Sequence, residues 1–123
     1  MKRRRASNPV SKAIARARLQ QTTTDIKIQL YLFQENEPCA STLEIVGRIL
    51  RVVADAAALD KRYGPDSPEV RKLRGAASAC SQMVAADAFH RINLTSIDHA
   101  LDAVLELNKH LDPDVVLALW AAG

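Results

Sequence analysis

Residues 41–63, STLEIVGRILRVVADAAALDKRY, carry the strongest apolar periodicity in the chain. Two rows recur at helical spacing: Leu43, Val46, Leu50, Val53 and Ala57, and beside them Ile45, Ile49, Val52, Ala56 and Leu59. Together they make an apolar face wider than the single stripe of an ordinary surface helix. The polar remainder is a narrow strip of Glu44, Arg48, Arg51, Asp55 and Arg62, with Glu44 and Arg48 in the favourable i,i+4 order. Ser41 and Glu44 have capping-box spacing, which predicts the helix start. A helix apolar on most sides needs cover on most sides, so the segment is predicted to be central.

The rest of the chain supplies that cover. Val10–Leu19 is rich in alanine and arginine, both good helix formers. Three threonines then lower helix propensity, and Ile26, Ile28 and Leu30 alternate with polar residues as in a strand. The helical row Leu19, Thr23, Ile26, Leu30, Phe33 fits the same residues. A lone strand could not satisfy its backbone groups within this chain, so one helix over Val10–Phe33 is the preferred prediction. Residues 34–40 read as a loop.

Gly64-Pro65 should stop the central helix, and Ser67-Pro68-Glu69 should start the next, with serine as N-cap and proline at the first helical position. That helix is predicted to reach about Phe89, with Val70, Leu73, Ala77, Cys80, Val84 and Ala88 inward. Gly75, Ala76, Ala79, Ala85 and Ala86 make it thin. A mid-helix glycine costs about 1 kcal/mol relative to alanine, so a close contact is expected at Gly75. A helix capped by Thr95 or Ser96 follows, with Ile97, Leu101, Val104, Leu107 or Asn108, and Leu111 inward. Asp112-Pro113 starts the last helix, whose apolar residues are Val115, Val116, Leu119 and Trp120. The expected fold is an all-α, single-domain bundle of four to five helices around a central helix over 41–63. Residues 1–9 are expected to be a flexible basic arm and 10–123 the helical domain.

Composition sharpens this outline. The chain has 123 residues, enough for one core rather than two. Tyr31, Phe33, Tyr63, Phe89 and Trp120 are the only aromatics, so the core must be mainly aliphatic. Two cysteines, Cys39 and Cys80, do not make a disulfide framework, and a reduced cytoplasmic setting is expected. No run approaches the roughly 18 apolar residues of a membrane span, and no apolar segment follows the initial MKRRR as in a secretory leader.

The formal net charge of +3 hides an asymmetry. Residues 1–18 hold seven bases (Lys2, Arg3, Arg4, Arg5, Lys12, Arg16 and Arg18) and no acid, leaving ten bases against fourteen acids elsewhere. Residues 48–74 add a second basic group, Arg48, Arg51, Lys61, Arg62, Arg71, Lys72 and Arg74, against four acids. Residues 75–123 hold only Arg91 and Lys109 against six acids. An electrically polar molecule with one basic end is expected. Lysine and arginine neutralise phosphates and release counterions, giving affinity without sequence preference. The candidate nucleic-acid-binding residues are therefore Lys2, Arg3, Arg4, Arg5, Lys12, Arg16, Arg18, Arg62, Arg71, Lys72 and Arg74, and the partner is DNA, RNA or a nucleoprotein complex. Scarce aromatics leave little for stacking single-stranded bases.

Other chemistry is weakly signalled. The histidines, His90, His99 and His110, have no second ligand at metal-binding spacing. Asp98, Asp102 and Glu106 lie one turn apart and read as a solvated outer face. Cys80 has only Ala79, Ser81 and Gln82 beside it, so nothing in the sequence activates it. There is no phosphate loop, nucleophile elbow or zinc-protease motif. No enzyme activity, metal or cofactor is expected. The alternative to nucleic-acid contact is a protein–protein module, a regulator, adaptor or inhibitor, docking a partner through the thin helix or the apolar Val115–Trp120 segment; a homodimer is compatible with either. A strand at 25–33 paired across a dimer would turn Lys27, Gln29 and Tyr31 one way, which is similar in outline to the ribbon-helix-helix plan. The gap from Phe33 to Ser41 and the long helix after it do not suit that plan.

Overall fold

The computed structural model describes residues 8–32, 40–86 and 94–122. Within them lie five helices and no strand: α1 (Pro9–Leu32), α2 (Ala40–Leu59), α3 (Pro68–Ala86), α4 (Leu94–Asn108) and α5 (Pro113–Ala122). The protein is an all-α helical bundle. Residues 25–32 are helical, which removes the intermolecular-strand alternative. Helical burial decides the matter, since Thr23, Ile26 and Leu30 face the core while Ile28 is exposed.

Capping chemistry sets the starts. Asn8 Oδ1 accepts from the Ser11 amide at 2.7 Å, with Pro9 in the first helical position, so α1 begins one residue before the predicted Val10. Ser67 Oγ accepts from the Val70 amide at 3.3 Å and donates to the Gly64 carbonyl at 3.0 Å, as Ser67-Pro68-Glu69 predicts. Asp112 Oδ1 accepts from the Asp114 amide at 3.0 Å and starts α5. The central helix begins at Ala40, one residue ahead of Ser41, and ends at Leu59 rather than Tyr63. Its final turn tightens: Asp60 bonds back to Ala57 and Tyr63 to Asp60, three residues each. Gly64 then takes φ +81°, a left-handed conformation that costs glycine little. The predicted extents to Phe33 and Phe89 fall outside the described residues.

α2 is central. Leu43, Val46, Leu50, Val53 and Ala57 are buried, as are Ile49, Val52, Ala54 and Ala56. The second predicted row fails at its ends, because Ile45 and Leu59 are exposed. α3 packs antiparallel on α2: Gly47 faces Ala77 and Cys80, and Asp55 faces Arg74. The close approach is therefore at Gly47, where an added Cβ would stand 3.5 Å from that of Cys80. Gly75 is exposed with nothing within 4 Å, contrary to the contact expected there.

α4 runs antiparallel to α1, since Lys27 meets Asp98, Gln20 meets Leu105 and Arg16 meets Asn108. The α4 row Ile97, Leu101, Val104, Leu107 is buried, together with Leu111. Leu19 and Thr23, near the middle of α1, share a cleft with Ile49, Val52 and Val53, near the middle of α2. The linker over residues 33–39 is too short to reach back along a parallel neighbour, so α1 and α2 run in opposite senses. One end of the bundle therefore carries the start of α1, the α2–α3 turn and the α4–α5 corner. The other carries the end of α1 and the starts of α2 and α4.

Candidate nucleic-acid interface

The fold brings part of the predicted basic set together and consumes another part. Lys2, Arg3, Arg4 and Arg5 lie outside the described residues; they join the chain just before Asn8. Lys12 reaches across to the α4–α5 corner, with Nζ 3.3 Å from Asp112 Oδ2 and 4.0 Å from Asp114 Oδ2. Arg16 is half-buried. Its Nε donates to the Asn108 carbonyl and its Nη2 to the Leu111 carbonyl, both at 3.1 Å. These are orphan acceptors at and just past the negative end of α4, where a guanidinium is well placed by both hydrogen bonding and the helix dipole. Lys12 and Arg16 thus clamp the corner, and the free positive surface expected from them is smaller than the sequence suggests. Arg18, two residues on and on the opposite side of α1, is exposed.

The second group surrounds the α2–α3 turn. Arg62 is exposed beside Lys61, with its backbone amide donating to Asp60 Oδ1 at 2.8 Å. Arg71 and Lys72 are exposed on the first turns of α3. Arg74 pairs with Asp55 at 3.2 Å, on the surface, where such a pair holds a side chain only loosely. Lys61, Arg62, Arg71 and Lys72 are exposed at this end, as are Arg74 and Lys109, which pair with Asp55 and Glu106, while Arg18 is exposed near the middle of α1.

Arg48 behaves unlike the rest of the polar strip. Its guanidinium stacks on Trp120, 4.0 Å from the ring centroid, and donates to the Trp120 carbonyl near the end of α5. It holds α5 against α2 and covers one face of the only tryptophan. A polar residue predicted to be solvated is therefore a tie between helices. The sole sequence hint was that Arg48 sits between Ile45 and Ile49, beside the apolar face.

The acidic row Asp98, Asp102 and Glu106 keeps its side chains substantially exposed, as expected, but it also makes ties. Asp98 and Asp102 bracket the Lys27 ammonium, joining α4 to α1 rather than facing only solvent. The hydrogen bond to Asp102, aided by both carboxylates' charge, raises the Lys27 pKa above its ordinary 10.5 against some loss from burial. Glu106 pairs with Lys109 at 3.0 Å and His110 at 3.7 Å, and the Lys109 hydrogen bond lowers its pKa. Burial pushes the Cys80 thiol up to about 11, against the opposing charge of Arg51, so it is an inert core group at neutral pH. Among the described residues no three His, Cys, Asp or Glu side chains are grouped to hold a metal ion. No described helix is long and apolar enough to cross a membrane.

Two clefts flank the basic end. One, of about 200 Å³, lies between α1, α2 and α5 and is lined mainly by apolar groups, among them Leu19, Val52, Val116 and Trp120. The other, of about 250 Å³, lies between α1 and α5 beside Ile14 and Leu117. Arg18 and Leu117 border both.

Helix order defines the described residues as a five-helix bundle. Comparison with known proteins adds no more particular identity: no family model, no curated protein and no solved structure matches the chain.

Proposed function

We propose that this is a non-enzymatic helical protein that contacts the backbone of DNA or RNA without sequence preference, alone or as a subunit of a nucleoprotein assembly. Support comes from one juxtaposition: the base-rich N-terminal segment joins the bundle at the end that also carries Arg62, Arg71 and Lys72. Arg18 faces solvent near the middle of α1, while Lys27 and Arg48 are spent on internal ties. A buried free thiol suits a reducing, cytoplasmic location. The second hypothesis, docking on a protein partner, is favoured by the exposed Val10, Ile14 and Leu117 along α1 and α5.

A salt titration tests the first. Affinity for a generic duplex should fall steeply with salt, with a log–log slope of about −0.9 per phosphate neutralised on duplex DNA. Deleting residues 2–5 should flatten that slope, and Arg62→Ala/Lys72→Ala should flatten it further. Lack of binding at low salt, or a slope indifferent to the deletion, would overturn the proposal.

A further inference from the structure

α1 is apolar on two opposite faces. Thr23, Ile26 and Leu30 turn into the core. On the far side, Val10, Ile14, Ile28 and Leu32 are 69%, 51%, 52% and 65% exposed. At 3.6 residues per turn these four fall within a narrow arc pointing away from the core. Between them on the same arc stand Arg18, Gln21 and Asp25, all exposed. The spacing from Val10 to Leu32 is four, four, three, four, three, four, the repeat of a helix seam that expects a second helix.

The stripe is symmetric about Gln21. Val10 and Leu32 are equally far from it in sequence, as are Ile14 and Ile28. Arg18 and Asp25 lie on opposite sides of it at nearly equal distance, with opposite charge. Arg18 makes no ion pair among the described residues, and Asp25 accepts only a 2.8 Å hydrogen bond from Gln21 one turn away. A pattern that becomes its own complement on reversal is what an isologous two-fold interface requires.

We infer that two copies of the chain associate through antiparallel pairing of their α1 helices about a two-fold axis at Gln21. Val10 meets Leu32 of the partner subunit, Ile14 meets Ile28 of the partner subunit, and Arg18 pairs with Asp25 of the partner subunit, each contact occurring twice. The cleft beside Ile14 and Leu117 gives the partner's Ile28 and Tyr31 a place to enter. Charge selects a second copy over a uniformly acidic or basic helix, because the stripe carries one charge of each sign in mirrored positions. A 24-residue helix is about 36 Å long and roughly 10 Å wide. The contact is therefore below the roughly 1,200 Å² of a standard stable interface, and the dimer dissociates in the micromolar range or weaker. In such a dimer Arg18 is taken up by Asp25 of the partner subunit, so the nucleic-acid proposal then rests on the N-terminal segment with Lys61, Arg62, Arg71 and Lys72, and dimerisation is tested without nucleic acid.

Sedimentation equilibrium of the full chain over about 1–500 µM tests it. A reversible monomer–dimer equilibrium is expected. Arg18→Asp and Asp25→Arg should each weaken dimerisation about tenfold or more, and the two together should restore most of it by reversing each cross-subunit pair. Recovery in the double variant cannot arise from damaged folding. In a Cys39→Ser background, Gln21→Cys should oxidise readily to a disulfide-linked dimer, whereas Gln29→Cys, exposed but off the stripe, should not. A chain monomeric throughout, a double variant no better than the singles, or equal cross-linking of Gln21→Cys and Gln29→Cys would overturn the inference.

Discussion

Glycine and arginine positions show how single residues depart from what their sequence neighbours suggest. Gly47 and Gly75 are both mid-helix glycines, yet only Gly47 faces a neighbouring helix. The propensity cost of a mid-helix glycine pointed to Gly75, but which side of α3 meets α2 is decided by Val70, Leu73, Ala77 and Cys80, and Gly75 is off that row. Gly75→Ala therefore removes backbone freedom without a clash and should raise stability by about 0.5–1 kcal/mol, read as a higher urea midpoint at unchanged slope. A loss of stability would show that α3 packs differently. Arg16 and Arg48 were likewise invisible as structural ties, since their acceptors, Asn108, Leu111 and Trp120, lie more than 70 residues away.

Elements whose signals are local were legible, and those whose signals are long-range were not. The apolar rows of α2, the Ser67-Pro68-Glu69 start of α3 and the Asp112-Pro113 start of α5 are each written in a few adjacent residues. The end of α2 was displaced because a turn of tight i−3 bonds, not α-helix, fills the gap before Gly64. The role of α1 was obscured because apolar residues on two faces cancel a one-sided pattern. The α1–α4 pair is joined by Lys27 between Asp98 and Asp102, a contact no local pattern announces. Lys27 has its pKa raised in the fold, so its contribution is fully present below pH 10.5 and is lost as pH climbs through the higher folded value. Lys27→Met should lower stability by about 0.5–1 kcal/mol at pH 8, as for a partly exposed pair. The gap from wild type, measured by urea unfolding, should close at pH values above that folded pKa. An unchanged gap at high pH would place the stabilisation in the lysine's stem packing instead.

For the molecule as a whole, chain direction brings the two basic groups to one end, which they share with Asp60, Asp66, Glu69, Asp112 and Asp114. Alternating helices return the α2–α3 turn to the end where the base-rich N-terminal segment joins, while Asp98, Asp102 and Glu44 lie toward the other. The sequence showed both basic groups and led to the expectation of one basic end; that they share it depends on α1 and α2 running in opposite senses. The most direct measurement is an amide chemical-shift map during titration with a short duplex at low salt. The expected result is perturbation confined to the segments 2–18 and 61–74. Shifts centred instead on Glu44, Asp98 and Asp102, or none at saturating duplex, would contradict the proposed interface.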